Sequence, residues 1–189
     1  MVNYPNGKKT YNKPLISSGN RGMDLEESIN ITNEYYRNNN IAIIYKKPTP
    51  IKLVKMDYEK AKIVEAYFQQ PSTTDYNGVY KGYYIDFEAK ETNNATSFPL
   101  ANIHAHQIEH LKSVLEHKGI AFIIVSFRKK EEVYVLPAQI VIQFYEAGAR
   151  KSIPYQTFVE QGFKIKEGYA LRLDYLKIID ENFIKNFNK

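Results

Sequence analysis

Between Tyr83 and Lys90 the chain interleaves two chemistries that no single environment can satisfy. Ile85, Phe87 and Ala89 are apolar, while Asp86, Glu88 and Lys90 between them are charged. A helix would spread both sets around its circumference, whereas a strand sends alternate side chains to opposite faces. The segment therefore reads as a strand that packs one face under a helix and gathers two carboxylates and an ammonium on the other. Asn77-Gly78 upstream is a turn signal, so Ser72 to Lys90 reads as an antiparallel hairpin. Asp75 lies on its first arm and is brought close to Glu88 across the pair.

The remaining pattern supplies a frame for that strand. Leu25, Ile29, Thr32 and Tyr36 recur at helical spacing in a helix that starts near Met23. Asp24, Glu26 and Glu27 lie in its first turn, where the helix dipole favours acids. Residues 41–45 read as a buried strand, 103–118 as a helix stopped by Gly119, 120–127 as a buried strand and 132–136 as a strand pairing back on it. Pro137 opens a further helix that ends near Gly148. Beyond Arg150 the pattern weakens, with 175–187 a last helix or a docked tail. The order predicts an α/β fold, a mixed β-sheet flanked by helices. Residues 1–20 lack periodicity and read as a flexible basic arm; residues 21–189 read as one domain. Within it, residues 48–70 form an insertion too long for an ordinary connection. Lys46, Lys47, Lys52, Lys55, Lys60 and Lys62 against Asp57 and Glu59 leave a net of +4 there, which favours phosphate contact over an ordinary solvated face.

Charge and composition narrow the chemistry. A net charge of +5 makes a polyanion a plausible partner. Absence of cysteine excludes a disulfide framework, a thiolate zinc site and a cysteine nucleophile. No apolar run is of membrane-spanning length and the N-terminus lacks a secretory h-region, so a cytoplasmic protein is expected. Asp75 and Glu88 together make a hard oxygen site for Mg²⁺, which acidifies a water and offsets charge building on phosphorus; Lys90 beside them orients that water or stabilises the charge. An Asp followed about a dozen residues later by Glu-x-Lys is the signature of the PD-(D/E)xK nucleases.

Several longer segments resemble the RecU Holliday junction resolvases of Gram-positive bacteria. They are Asn20-Arg21-Gly22-Met23 with Leu25-Glu26, Lys46-Lys47-Pro48-Thr49-Pro50, Ser72-Thr73-Thr74-Asp75-Tyr76-Asn77-Gly78, Tyr84 through Thr92, Phe98-Pro99-Leu100 and His106-Gln107-Ile108. The resemblance implies a restriction-endonuclease-like core and a homodimer in which each subunit cuts one of two opposed strands. It implies that the insertion is a stalk reaching the centre of the junction. It implies a magnesium site on Thr73, Asp75, Glu88 and Gln107, with Mn²⁺ an expected substitute, and Lys90 as the transition-state lysine. DNA contact is expected at Arg21, Lys46, Lys47, Lys52, Lys55, Lys60 and Lys62. The implied partners are four-way junction DNA, a second copy of the chain, RecA and the branch-migration machinery, with no membrane; the implied location is the cytoplasm, at the nucleoid. The stalk departs from the family in reading Asp57-Tyr58-Glu59-Lys60-Ala61-Lys62, shorter and poorer in arginine.

Some positions stay open at this level. Asp86 shares the face of Glu88 and is either a further metal ligand or a structural hydrogen-bonding group. Glu26 is either an additional acid near the metal or a solvated first-turn carboxylate. His104 and His106 do not share a helix face and favour surface or capping roles over zinc; His106 or His110 near the phosphate is a further option. Another nuclease of the same fold, or a non-catalytic branched-DNA or recombinase-binding factor, are the rival readings of the whole.

Overall fold

The computed structural model describes residues 24–68, 73–166, 168 and 171–185. The arm at residues 1–20 and Arg21 lie outside the described residues.

Helix α1 spans Leu25–Asn38 and buries Leu25, Ile29, Thr32 and Tyr36, the stripe that the spacing predicts, together with Ser28 and Asn33. Asp24 does not cap it through its side chain. Instead Glu91 reaches from the sheet and accepts the Leu25 N–H at 3.0 Å, satisfying one of the donors a helix start leaves free. Strand β1 (Ile43–Lys46) follows. The insertion then forms a two-stranded ribbon, β2 (Ile51–Asp57) against β3 (Lys62–Phe68), antiparallel and irregular between Leu53 and Met56. Among the described residues the ribbon joins no other sheet.

The hairpin is β4 (Tyr76–Tyr80) and β5 (Tyr83–Thr92). Its turn is not at Asn77-Gly78, as the dipeptide suggests. Both residues lie inside β4, paired with Asp86 and Ile85 on one side and with Tyr45 and Ile44 on the other. The chain reverses at Lys81 and Gly82, both with positive φ (51° and 83°), the twist that a two-residue hairpin loop needs. Gly78 serves close approach instead: a Cβ there would lie 2.0 Å from the Ile43 carbonyl oxygen.

After β6 (Ser97–Pro99) come α2 (Ala105–Glu116), β7 (Ile120–Phe127), β8 (Glu132–Pro137), α3 (Ala138–Ala147), β9 (Ser152–Pro154), α4 (Tyr155–Gln161), β10 (Phe163–Lys164) and α5 (Tyr175–Ile179), which runs on as a π-helical turn through Asp180–Ile184. The central sheet has the order β1-β4-β5-β7-β8-β10, with β5 and β7 parallel and its other pairs antiparallel. The α/β class therefore holds. Elements that the weak pattern beyond Arg150 did not announce close the fold.

One sheet face packs Ile85, Phe87, Phe122 and Ile124 against α1 and the C-terminal segment. Tyr76, Phe87 and Phe122 stack in series at 4.8 Å per step, and Tyr175 lies against Phe87 at 5.1 Å. Tyr36 donates to Asp174 at 2.7 Å, and Tyr175 donates to Asn33, so the tail is docked by buried hydroxyls with partners. The other face carries Ala121, Ile123 and Val125 under α2, α3 and α4. Asp86, Glu88 and Lys90 lie on that second face, paired in register with Ala121, Ile123 and Val125.

Candidate active site

Asp75 sits one residue before β4, and the Tyr76–Phe87 pairing sets it opposite Glu88. Two bonds tie them. The Asp75 N–H donates to Glu88 Oε2 at 3.1 Å, and the Ala89 N–H donates to Asp75 Oδ2 at 3.2 Å. Lys90, one strand period beyond Glu88, places Nζ 2.6 Å from Glu88 Oε1. That contact makes Glu88 Oε1, itself buried, one half of a close ion pair. The structure thus brings Asp75, Glu88 and Lys90 together, as strand alternation predicts.

Their exposures differ. Glu88 is fully buried in the free chain, while Asp75 and Lys90 are partly exposed and form the side open to solvent. Burial first, then the neighbouring Asp75 carboxylate, pushes the Glu88 carboxyl up to about 7, against the pull of Lys90. Two carboxylates crowded at one point form a donor set suited to a hard divalent cation. Among the described residues no three His, Asp or Glu side chains converge on a metal-sized point, so such an ion would depend on neutral oxygens and water as well.

Asp86, left open between two roles by the sequence, is a structural carboxylate here. It is fully buried. Thr74 donates to Oδ1, and Oδ2 receives Lys47 Nζ at 2.7 Å and the Tyr84 hydroxyl at 2.8 Å. His110 Nε2 lies 3.0 Å from the same oxygen. Lys47 is accordingly not the surface phosphate contact that its place in a lysine-rich stretch predicts. Its side chain is 13% exposed, and Nζ also reaches Thr74 Oγ1 at 2.6 Å and Thr73 Oγ1 at 3.0 Å. A buried ammonium needs a paired anion, and Asp86 supplies it from 39 residues away.

The other expected residues scatter around this centre. Thr73 is exposed and contacts Lys47. Gln107 is buried at the start of α2, but its Oε1 accepts the His104 N–H at 3.0 Å, so the oxygen expected at the metal is occupied as a helix cap. His104 flanks the same helix start and stacks on His106 at 5.5 Å. Glu26 is exposed and pairs with Lys46, and among the described residues it completes no three-acid metal group with Asp75 and Glu88. Lys52, Lys55, Lys60 and Lys62 are exposed on the ribbon. The sequence reading missed what accompanies them: Leu53, Val54, Ile63, Val64 and Tyr67 are exposed as well, and Tyr58 at the tip is 84% exposed. The alternating apolar residues of 51–67 were the available signal.

Comparison with known proteins gives a consistent result. Residues 20–181 match the family model described as "RecU: Recombination protein U". The "Holliday junction resolvase RecU" of Bacillus cytotoxicus is 53% identical over 194 aligned residues, covering 95% of this chain and 96% of the relative. The proteins of the same name from Bacillus thuringiensis and Bacillus anthracis match at the same identity and coverage. Among solved structures, Hjc of Archaeoglobus fulgidus, a Holliday junction resolvase, superimposes with a TM-score of 0.37 at 13% identity, over 77% of this chain and 93% of that one. Among the described residues no helix is long and apolar enough to cross a membrane.

Proposed function

This chain belongs to the RecU family, and from that membership we propose that it resolves four-way DNA junctions in recombination and repair by Mg²⁺-dependent hydrolysis of one phosphodiester in each of two opposed strands. The observation that carries the reading is the meeting of Asp75, Glu88 and Lys90 at one partly open point, where the buried Glu88 carboxylate accepts the Asp75 N–H and pairs with the Lys90 ammonium.

Asp75 and Glu88 would hold the ion, with Thr73 and the amide of Gln107 as further oxygen donors after local rearrangement and Mn²⁺ as a substitute. A divalent cation there supplies Lewis acidity and charge neutralisation towards the phosphate. The protein's own groups do the rest. Lys90 places its ammonium at the carboxylate pair and is partly exposed. It offsets negative charge as it builds on the phosphate oxygens. Glu88, whose proton affinity is raised by burial and by Asp75 while no cation is bound, would release its proton as the cation binds. The backbone ties between Asp75, Glu88 and Ala89 hold both carboxylates in register, so little reorganisation remains for the reaction.

The ribbon extends both charge and apolar surface away from the body, as a stalk entering the open centre of a junction would require. Lys52, Lys55, Lys60 and Lys62 meet phosphates, so binding weakens steeply with salt. Paired nicks need two centres, hence a homodimer. The edge strand β1 offers exposed Ile43 and Tyr45, with Val79 beside them, to a second copy. A cytoplasmic, nucleoid-associated location and partnership with RecA and the branch-migration machinery go with this reading.

The test is cleavage of a mobile four-way junction beside a linear duplex of the same sequence, with and without magnesium, and with the nicks mapped. Symmetric paired nicks in the junction alone are expected. Equal cutting of linear duplex would favour another nuclease of the same fold. Tight junction binding without cleavage would favour a non-catalytic binding factor.

A further inference from the structure

The ribbon leaves the body just after Lys47, Thr73 lies beyond it on the path into β4, and both places converge on one cluster around a buried ion pair. The Lys47 N–H donates to the Asp75 carbonyl at 2.7 Å. Its Nζ contacts Thr73 Oγ1 at 3.0 Å, Thr74 Oγ1 at 2.6 Å and Asp86 Oδ2 at 2.7 Å. Asp86 belongs to the middle of β5, where it pairs with Asn77 and Ala121. His110 on α2 closes the cluster, with Nε2 3.0 Å from Asp86 and 3.2 Å from Lys47. Outgoing chain, returning chain, sheet and helix therefore meet at a single ion pair.

Among the described residues, the rest of the ribbon shows no comparable attachment. The residues of β2 are exposed up to Met56, on both faces of the strand, and 62–67 of β3 are exposed as well. A load on the ribbon therefore reaches the body through its root. At that root, Lys47 and Asp86 are 13% and 0% exposed. A buried pair of this kind cannot loosen by degrees, because separating it strands an uncompensated charge. Thr74, the hydroxyl donor to Asp86, is the residue directly before Asp75.

Resting on the reading of Asp75 and Glu88 as the cleavage centre and of the ribbon as the element that meets the junction, we infer that Lys47 and Asp86 are positioning residues that couple the two. Engagement of the ribbon by branched DNA fixes the path of Lys47; through its amide and its ammonium, Lys47 fixes Thr73, Thr74 and Asp75. Linear duplex, which offers the ribbon no open centre, leaves Asp75 less well held. Junction preference then arises partly in the cleavage step itself, beyond any preference in binding.

Hydrogen exchange of the full-length chain, read on peptides covering 73–91 with and without a four-way junction in the absence of divalent metal, tests this. Exchange is compared for wild type, Lys47→Met and Thr74→Val, the last removing one hydroxyl while keeping the charges paired. In wild type, the junction should slow exchange at Asp75 and Ala89 roughly tenfold, within the usual range for coupled sites. Both variants should bind the junction with near wild-type affinity and lose that protection. In magnesium, their single-turnover cleavage of the junction should fall while any cutting of linear duplex is unchanged. Equal protection in wild type and Thr74→Val would overturn the coupling, as would an equal fall on junction and duplex. A Lys47→Met chain that fails to fold leaves the decision with Thr74→Val. If wild type cleaves junctions symmetrically yet shows no protection at Asp75, the coupling alone fails. If wild type neither binds nor cleaves a junction, the underlying reading fails first.

Discussion

Asp86 and Glu88 stand one strand period apart on the same face of β5, both fully buried, and their surroundings are opposites. Asp86 is given four partners, from Thr74, Lys47, Tyr84 and His110. Glu88 is set against a second carboxylate, with one partly exposed ammonium, Lys90, beside it and its proton affinity raised to about 7. A buried carboxylate whose oxygens are all satisfied holds a fold together. One crowded against another acid is a place where an arriving cation relieves repulsion. Sequence alternation assigns both residues to the same face; only their partners separate structure from site.

That contrast breaks first at the level of catalysis. Glu88→Ala or Asp75→Asn should lower single-turnover junction cleavage by on the order of 10³-fold or more, the scale seen when a group stabilising transition-state charge is removed, with junction affinity largely kept. Near-normal cutting by either variant in magnesium would sink the site assignment.

Stability should show the reverse ranking. Asp86→Ala strands the Lys47 ammonium and should cost roughly 3–5 kcal/mol in urea unfolding of metal-free protein. Glu88→Gln removes a repelled charge and should cost little at pH 7, or stabilise. If the two variants were equally destabilised, the distinction between the carboxylates would be wrong.

A pH series sharpens the same point. A carboxyl whose proton affinity is higher folded than unfolded keeps more protons in the native state between its two titration points. The Glu88 contribution is therefore full below the ordinary carboxylate range, near 4.5, and lost as pH rises through about 7. Relative to wild type, the metal-free Glu88→Gln variant should lack that downward slope across this window. A slope that survives the substitution belongs to another group.

The smallest effect is expected at the surface. Lys46 and Glu26 are both about half exposed, so Glu26→Gln should change stability by no more than ~1 kcal/mol and leave metal binding intact. A large loss of cleavage there would restore Glu26 as an additional acid at the centre.

What could be read in advance was whatever strand and helix periodicity carries. The faces of β5, the buried stripe of α1, the strand at Ile120–Phe127 and the closeness of Asp75 to Glu88 all follow from spacing. Three things depended on contacts that spacing does not encode. Asn77-Gly78 carries a turn signal, but the glycine is there because β1 passes too close for a Cβ. Lys47 has the composition of a solvated lysine run, yet its position one residue past β1 turns it towards Asp86. Gln107 has the right side chain to reach an ion, and a nearer backbone donor engages it. In each case a partner remote in sequence, or a local cap, outbid the residue's own preference.

The most direct test of the central claim is calorimetric titration of Mn²⁺ into the full-length wild-type chain and into Glu88→Gln, without DNA. One divalent site per chain is predicted for wild type, with its affinity lost in the variant while thermal unfolding stays cooperative. A variant that binds the ion as tightly as wild type would place the metal elsewhere and contradict the account.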